Sequence, residues 1–298
     1  MGAVTNDSGR TTVSAEEVSY AYAEGSRALD RVDFRLFRGE FAALLASNGS
    51  GKTTLLKVLV GLLKPQKGII RLNGRDIREI PRNDLCREIG FVLQNPNDQL
   101  FAATVEEDVA YGPRNMGLSE QEVEDRVSEA LDLVSASPLR KRAIHHVSYG
   151  EQKRISIAGI LAMKPSIIFL DEPTAGLDPA GESTMLRILS RLNREQGITV
   201  LLATHSVDML PLFADRITVM NLGRVLLQGP PVEVFGNHEV IEQSNLRLPY
   251  ISSLLYDLKR YDGLPINGIP LTVREARMRI LELIPEDLLR SRMGEEKP

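Results

Sequence analysis

An uninterrupted apolar run lies at residues 41–45, and mainly apolar runs follow at 165–170, which includes one serine, and at 198–203, which includes one threonine. Such runs are typical of strands in a parallel sheet that is covered on both faces. Near the N-terminus, residues 18–22 and 31–36 partly alternate between apolar and polar positions, which predicts strands with one exposed face. The pattern therefore predicts an α/β protein with β-structure at its start.

The segment from Thr104 to about Met163 has a helical pattern instead. Ser119 and Glu122 form a capping-box signature, and apolar residues follow at helical spacing. We interpret this segment as a helical insertion between strands. Earlier in the chain, Asn73-Gly74 lies between two short β-type stretches and predicts a hairpin turn.

Turn residues divide the rest of the chain. The pair Pro230-Pro231 marks the end of the predicted core, with room for one short helix after it, and the composition changes from about Asn237. The last predicted helix opens at Thr272 and runs to Ile284. We therefore predict a disordered leader over 1–12, one large domain over 13–236 with a helical subdomain at about 103–163, and a C-terminal accessory module over 237–298.

Composition excludes several classes of protein. The 298 residues carry a net charge of −4, so the overall electrostatics do not favour a nucleic-acid partner. One cysteine, Cys86, excludes an intramolecular disulfide framework and fits a reducing compartment. No run approaches the roughly 18 apolar residues that span a bilayer, so any membrane role is expected to come through a partner.

The segment 45–54, LASNGSGKTT, has the layout of a phosphate-binding loop between a strand and a helix. Glycines allow successive backbone N–H groups to face one anion, the helix adds its positive dipole end, and Lys52 adds a full charge. Thr53 offers a hydroxyl to Mg²⁺. Ala46 stands where the pattern has its first glycine, so either its φ is negative or the loop is slightly strained. A nucleoside triphosphate is the predicted ligand.

Four other polar residues follow predicted strands, and carboxyl ends of parallel strands meet at one edge of a sheet. Asp171 is expected to hold Mg²⁺, and Glu172 to accept the proton of the attacking water. Gln94 is expected to contact Mg²⁺ and that water, and His205 to hydrogen-bond the γ-phosphate. For a lone Gln or His a structural role is the usual alternative.

The segment 147–154, VSYGEQKR, offers a second anion site, because Ser148 and Gly150 precede an apparent helix. One triphosphate on one chain does not need two such sites. A nucleotide sandwiched between two copies of the chain needs both.

Taken together, these motifs resemble the nucleotide-binding subunit of ATP-binding cassette (ABC) transporters over roughly 13–235. The resemblance implies a P-loop cassette with a mixed, mainly parallel core, an N-terminal antiparallel β-subdomain and a helical signature subdomain. It implies that Tyr22 stacks on adenine. The ATP-binding residues are then Tyr22, Ala46, Ser47, Asn48, Gly49, Ser50, Gly51, Lys52, Thr53 and Thr54.

The same resemblance assigns the catalytic roles to Glu172, His205, Gln94 and Lys52, and the Mg²⁺ ligands to Thr53, Gln94 and Asp171. The signature and D-loop residues Ser148, Gly150, Glu151 and Asp178 are expected to contact ATP on a second subunit. The signature departs from Leu-Ser-Gly-Gly-Gln at Val147, Tyr149 and Glu151. Glu151 changes the expected side-chain amide contacts. Nucleotide binding in trans is not affected, because Ser148 and Gly150 are kept.

A finer resemblance, carried by the segments 94–101, 109–113 and 246–249, is to the ATPases of energy-coupling-factor importers, including cobalt and nickel systems. It implies a transmembrane coupling protein docked beside Gln94, a small membrane substrate-binding subunit, and a C-terminal module that helps to hold two ATPases together. The chain is then a peripheral protein on the cytoplasmic face of the membrane, and the solute is a divalent metal ion or a vitamin. One set of motifs is compatible with a homodimer or with a pair of related ATPases. The alternatives are a soluble ABC ATPase that is not coupled to transport and a nucleotide-gated scaffold without catalysis.

Overall fold

The computed structural model describes residues 11–284, and within that range the chain forms two β-sheets and a set of helices around them. The strands are β1 Thr11–Ala21, β2 Arg27–Phe37, β3 Phe41–Ala46, β4 Lys67–Leu72, β5 Arg75–Asp76, β6 Ile89–Val92, β7 Ile167–Asp171, β8 Thr199–Thr204, β9 Arg216–Asn221 and β10 Arg224–Gly229. The helices are α1 Lys52–Leu59, α2 Arg82–Glu88, α3 Val105–Asn115, α4 Glu120–Leu133, α5 Tyr149–Leu161, α6 Pro179–Gln196, α7 Leu210–Phe213, α8 Pro231–Gly236, α9 His238–Gln243, α10 Tyr250–Arg260 and α11 Val273–Glu282.

The N-terminal sheet is antiparallel, with strand order β2-β1-β4-β5. Asn73 and Gly74 both have positive φ angles, of 49° and 81°, which is the conformation that a two-residue hairpin turn requires. The predicted Asn-Gly hairpin is therefore confirmed.

The second sheet has the order β10-β9-β3-β8-β7-β6. Strands β6, β7, β8, β3 and β9 are parallel to their neighbours, and β10 pairs antiparallel to β9 at the edge. Since the parallel strands share one direction, the segments that follow β3, β6, β7 and β8 leave the sheet at the same edge. The sequence predicted this convergence.

Strand β3 explains how the two hydrophobic cores are separated. All six of its residues are buried, and alternate side chains enter different cores because successive residues of a strand point to opposite faces. Phe41, Ala43 and Leu45 pack into the core formed with α3–α6, and Ala42 and Leu44 pack into the core formed with α1 and the antiparallel sheet. The central strand is therefore covered on both faces.

The helical segment predicted between the strands consists of α3, α4 and α5. Thr104, Ser119 and Ser148 are the N-caps of these helices, and each forms a complete capping box with a glutamate three residues later. Apolar residues of α4 such as Val123 and Val127 are buried against the main core. The capping box predicted at Ser119 and Glu122 is confirmed.

The C-terminal segment is attached to the rest of the fold by apolar and polar contacts. Leu248 and Leu271 belong to the main hydrophobic core, whereas Leu255, Ile266 and Ala276 form a small separate cluster. The division at residue 237 stays a prediction. The last described helix ends at Glu282, two residues before the predicted end at Ile284.

The predicted fold class is confirmed, but the first strand needs a correction, because it was predicted at residues 18–22 and spans Thr11–Ala21. Thr11 and Thr12 lie inside β1, although they were predicted to belong to the leader. The reason is pairing that the local sequence does not reveal: Thr11 is opposite Phe37, and the Thr12 carbonyl accepts a hydrogen bond from the Asn73 N–H (2.8 Å). Residues 1–10 of the predicted leader lie outside the described residues. No helix within residues 11–284 is long and apolar enough to cross a bilayer.

Candidate functional site

The loop between β3 and α1 has the backbone of an anion-binding turn. Gly49 and Gly51 have φ angles of 79° and 100°, which L-residues rarely adopt. A Cβ atom on Gly51 would lie 2.5 Å from the Ala28 carbonyl oxygen, whereas one on Gly49 would meet no atom of residues 11–284 within 4 Å. Gly51 is therefore required by packing, and Gly49 borders open space in front of the loop.

Ala46 causes no backbone strain in this loop. It is the last residue of β3, is fully buried, and is not among the residues with a positive φ. Ala46 can therefore replace the first glycine of the pattern without strain, which is the first of the two alternatives given for this position. Ser47 and Ser50 close the base of the loop through a hydrogen bond between their hydroxyl oxygens (2.8 Å).

Lys52 lies almost fully buried at the first position of α1. Its ammonium group donates hydrogen bonds to the carbonyl oxygens of Ala46 (2.7 Å) and Ser47 (3.2 Å), and lies 3.3 Å from Oε1 of Glu172. The loop carbonyls thus hold the ammonium group over the loop, and a carboxylate occupies the remaining side. A phosphate group that entered the cleft would compete with that carboxylate for the same cation.

Thr53 and Asp171 form the base of the site beside Lys52. The Thr53 hydroxyl donates a hydrogen bond to Oδ2 of Asp171 (2.7 Å), and Oδ1 of Asp171 is buried with no hydrogen-bond partner among residues 11–284. Burial raises the pKa of Asp171, and the Thr53 hydrogen bond opposes this only in part. An unpaired buried carboxylate oxygen beside a hydroxyl fits the oxygen-ligand chemistry of Mg²⁺, directly or through water.

Glu172 adopts an unusual backbone conformation at the end of β7. Its φ is 48°, in a region that costs a non-glycine residue about 1–3 kcal/mol. Its N–H donates to the Ala203 carbonyl (2.9 Å), which ties the residue to β8. The side chain is buried, and Oε1 lies 2.9 Å from Nδ1 of His205, which is half-exposed. A strained backbone thus aims one carboxylate oxygen at both Lys52 and His205.

Gln94 follows β6, and its exposed side chain lies on the wall of the same cleft as Glu172. Lys153 of α5 contacts the main chain of Gln94. The ammonium group of Lys153 donates to the carbonyl oxygens of Gln94 (3.0 Å) and Glu172 (2.8 Å). Lys153 is only 3% exposed, and burial lowers its pKa to about 8.

Seven of the ten predicted ATP residues line a cleft of about 360 Å³, and Ala46, Ser47 and Ser50 do not. Tyr22 lies at one end, where its hydroxyl is 3.0 Å from Oγ1 of Thr54. The cleft is lined by Tyr22, Asn48, Gly49, Gly51, Lys52, Thr53, Thr54, Gln94 and Glu172, and also by Ser26, Arg27 and Ala28. The sequence did not lead us to predict Ser26, Arg27 and Ala28 as cleft residues. A basic residue, Arg27, five positions after the predicted adenine tyrosine is the signal that could have pointed to them.

The signature segment opens α5 on a different part of the surface. The Ser148 hydroxyl accepts a hydrogen bond from the Glu151 N–H, and Oε2 of Glu151 accepts one from the Ser148 N–H (2.7 Å). The hydrogen bond from the Ser148 N–H is the main cause that lowers the pKa of Glu151, and a hydrogen bond from the Ser148 side chain is the second cause. Glutamate at this position therefore completes a capping box, which explains how the helix tolerates the departure from glutamine.

The D-loop is packed beside the signature segment. The Tyr149 ring lies so close to Gly176 that a Cβ atom there would be 3.1 Å from the ring. Asp178 is the N-cap of α6 and accepts a hydrogen bond from the Gly181 N–H (2.7 Å). Ser148 and Asp178 are exposed. Of the predicted trans contacts, Ser148, Gly150, Glu151 and Asp178, none lines the phosphate cleft of its own chain.

Comparison with known proteins connects this geometry to a family. A family model described as "ABC transporter" matches residues 29–175. A putative ABC transporter ATP-binding protein of Geobacter sulfurreducens is 50% identical over 91% of this chain and 97% of its own length. The energy-coupling factor transporter ATP-binding protein EcfA of Methanocaldococcus jannaschii is 42% identical over 92% of this chain and 98% of its own length.

Solved structures agree with the sequence matches. The structure of cbiO1 from Clostridium perfringens, described as part of the ABC transporter complex cbiONQ, is 42% identical with a TM-score of 0.73 and covers 83% of this chain and 99% of that one. A dimeric ATP-binding cassette in a post-hydrolysis state, bound to ADP and phosphate, is 28% identical with a TM-score of 0.66 and covers 74% of this chain and 98% of that one.

Proposed function

Since the chain belongs to the ATP-binding subunits of ABC transporters, an ATPase family, we propose that it powers an importer of the energy-coupling-factor type. The observation that carries this proposal is the extent of the matches to relatives named EcfA and cbiO1. They span 92% and 83% of the chain, so they reach beyond the region of the family model into the C-terminal segment. ATP hydrolysis is common to the whole family, so the proposal concerns only the type of transporter.

Nucleotide binding is proposed to use the cleft described above. The backbone N–H groups of the loop and the Lys52 ammonium group hold the phosphates, and Tyr22 packs against the adenine. Asp171 and Thr53 are the proposed ligands of Mg²⁺, with Gln94 beside them. Mg²⁺ supplies neutralisation of phosphate charge when it is bound.

Hydrolysis is proposed to depend on Glu172. Its buried carboxylate lies at the edge of the cleft and accepts a proton from the water that attacks the γ-phosphorus, while the bond from this phosphorus to the bridging oxygen breaks and ADP leaves. His205 is hydrogen-bonded to the same carboxylate oxygen that contacts Lys52, so it orients Glu172 and bridges it to the γ-phosphate. Exchange of Lys52 from Glu172 to a phosphate oxygen frees the carboxylate for this role.

The trans site is proposed to require a second ATPase subunit. Ser148 and Asp178 are exposed and lie outside the cleft of their own chain, so they are available to a nucleotide that is bound by another chain. The N–H groups of Tyr149 and Gly150, which have no hydrogen-bond partner within the described part of the chain, would face its γ-phosphate. The resulting head-to-tail dimer is either a homodimer or a pair with a related ATPase, and it holds two nucleotides between the subunits.

A groove between α2, α3 and α5 is the proposed site for the membrane partner. This docking groove has a volume of about 330 Å³ and is lined by Asn83, Cys86, Arg87, Gln99, Phe101, Asp108, Tyr111, Gly112, Asn115, Met116, Gly159, Ile160 and Met163. Phe101 and Tyr111 are 66% and 52% exposed and contact each other edge to face (4.7 Å between ring centres). Exposed aromatic residues over an apolar floor suit a short helix of a transmembrane coupling protein. Such docking would place this chain on the cytoplasmic face of the membrane.

Cys86 allows a direct test of this docking. It is the only cysteine of the chain, and its exposed side chain lines the docking groove. A maleimide reagent is expected to label Cys86 at least about tenfold more slowly in the purified membrane complex than in the isolated subunit, because a partner covers the groove. A matched control carries Cys86→Ser with Val232→Cys, a site on α8 that is 70% exposed and outside the groove. Equal labelling rates of Cys86 in the intact complex and the free subunit would contradict the docking.

The proposed solute is a divalent metal ion or a vitamin, selected by the membrane subunits. Uptake of radioactive cobalt or nickel and of labelled vitamins, in cells with wild-type protein or with Glu172→Gln, distinguishes the two. We expect one solute class to lose uptake in the variant. Unchanged uptake of all of them would contradict the importer assignment.

A further inference from the structure

Lys153 is a buried cation to which the proposed mechanism gives no role. It lies in the second turn of α5 and is 3% exposed. Within residues 11–284 it forms no ion pair with a carboxylate, and its ammonium group instead donates to two carbonyl oxygens. The Tyr149 ring covers it from one side, with the ring centre 5.4 Å from Nζ. A buried ammonium group is costly without compensating contacts, so its partners are informative.

Both partners belong to residues of the proposed catalytic site. One carbonyl is that of Gln94, which follows β6, and the other is that of Glu172, which follows β7. The Glu172 carbonyl also accepts a hydrogen bond from the Ala175 N–H (3.1 Å). Glu172 has a positive φ, so its peptide needs such contacts to stay in that conformation. One side chain of α5 thus holds two loops whose own side chains line the phosphate cleft.

Helix α5 also connects these loops to two surfaces. Its N-cap is Ser148, the proposed trans contact, and its last turn supplies Gly159 and Ile160 to the docking groove. The distance along the axis from Ser148 to Ile160 is about 18 Å at 1.5 Å per residue. Lys153 lies between the two ends. A displacement of α5 at either end therefore moves the anchor of both catalytic loops.

We propose that Lys153 is a positioning residue for ATP hydrolysis, which fixes the backbones of Gln94 and Glu172 to the signature helix. This inference rests on the proposed role of Glu172 as the base. Its consequence is that Glu172 reaches its working position only when α5 is correctly seated. Contact of Ser148 with a nucleotide and contact of the docking groove with a partner then act on the same pair of carbonyl groups.

Lys153→Met tests this role, because methionine has a similar length but donates no hydrogen bond. We expect kcat for ATP to fall by at least about tenfold, while KM and the affinity for a fluorescent ATP analogue change by less than about twofold. Lys153→Arg keeps the donors and is expected to recover kcat to within about threefold of wild type. Lys141→Met removes an exposed lysine from the same helical subdomain and is the matched control, with kcat expected to be unchanged.

The double variant Lys153→Met with Glu172→Gln separates positioning from general stability. If Lys153 acts through Glu172, the double variant is expected to have the same residual kcat as Glu172→Gln alone, within about twofold. An unchanged kcat in Lys153→Met would overturn the proposal, and so would a parallel loss of nucleotide affinity or an additive loss in the double variant. If Lys153→Met does not fold, Lys153→Leu, which also donates no hydrogen bond, replaces it in the same comparisons, with the same expected loss of kcat at unchanged affinity. Full turnover in Glu172→Gln would instead refute the proposed base, which distinguishes the two failures.

Discussion

The ammonium group of Lys52 lies 3.3 Å from Oε1 of Glu172, and both side chains are buried at the edge of the phosphate cleft. The residue proposed to bind phosphate and the residue proposed to accept a proton are therefore partners in the same ion pair. Binding of a triphosphate has to replace one anion by another at Lys52. The same exchange releases the carboxylate of Glu172, so nucleotide binding and activation of the base are coupled by a shared cation.

Glu172→Gln is predicted to separate binding from hydrolysis. The amide keeps the shape of the side chain but accepts no proton, so turnover is expected to fall by about two decades or more. ATP affinity is expected to rise, because Lys52 loses its anionic competitor, and ATP-driven dimers are expected to accumulate. Phosphate release and size-exclusion chromatography with ATP measure the two effects. Turnover near the wild-type rate would exclude Glu172 as the base.

The head-to-tail arrangement predicts rescue between two inactive variants. Lys52→Ala removes the phosphate cation of one subunit, and Ser148→Arg blocks the trans contact of the other. A mixed dimer then has one site with both groups intact and one site with neither. In the Glu172→Gln background, mixing the two variants is expected to restore ATP-dependent dimers that neither forms alone. Dimer formation by Ser148→Arg alone, or no recovery in the mixture, would contradict the trans assignment.

The two loop glycines are predicted to differ in their effect on stability. Gly51→Ala places a Cβ atom 2.5 Å from a backbone oxygen in addition to the positive φ, so we expect a loss of about 2–4 kcal/mol in the free energy of unfolding. Gly49→Ala carries only the cost of the positive φ, about 1–2 kcal/mol. Urea unfolding without nucleotide measures both. Equal losses would contradict the packing described around Gly51.

A clamp between the C-terminal segment and the loop after β8 has a predictable pH dependence. The Arg247 guanidinium donates to both carboxylate oxygens of Asp208, the Tyr250 N–H donates to Oδ1 (2.9 Å), and the guanidinium stacks on the Tyr250 ring (3.8 Å). Burial opposes ionisation of Asp208, but the hydrogen bonds from Arg247 and Tyr250 outweigh it and lower its pKa.

A carboxylate with a lowered folded-state pKa stabilises the protein above the unfolded value of about 3.9, and this contribution is lost as the pH falls through the folded value. Asp208→Asn is therefore expected to lower the free energy of unfolding by about 1 kcal/mol at pH 7, a modest figure because the pair is partly exposed. The difference from wild type is expected to shrink below about pH 4. A difference in urea unfolding that does not vary with pH would contradict the clamp.

The parts of the site that the sequence predicted are local or follow from a general rule of sheets. The loop at Lys52 is a continuous segment, and the meeting of Asp171, Glu172 and His205 follows from the shared direction of parallel strands. The positive φ of Glu172 was not predictable, because it depends on contacts with β8 and α5. The start of β1 at Thr11 depends on pairing with β2. The strand was predicted to begin at residue 18, and the large domain was predicted to begin at residue 13, two residues too late.

Lys153 is the clearest case of a residue that sequence reasoning overlooked. A lysine beside an arginine after the signature is normally exposed, and it was left without a role. Its spacing contained a signal, since it lies four residues before Ile157 and therefore on the buried face of α5. What the spacing could not reveal was the pair of carbonyl groups from distant strands that it contacts. Ser26, Arg27 and Ala28 in the cleft wall were missed for a similar reason, because the end of the β1–β2 turn and the start of β2 are brought to the phosphate loop only by the fold.

The central claim is that this ATPase works with membrane proteins of an importer. The most direct measurement is mass spectrometry of the proteins that copurify with the tagged full chain from detergent-solubilised native membranes. A polytopic coupling protein and a small hydrophobic substrate-binding subunit are the predicted partners, with or without a second ATPase in equal amount. Recovery of the chain only from the soluble fraction, with no membrane protein attached, would contradict the importer and favour an ABC ATPase that is not coupled to transport.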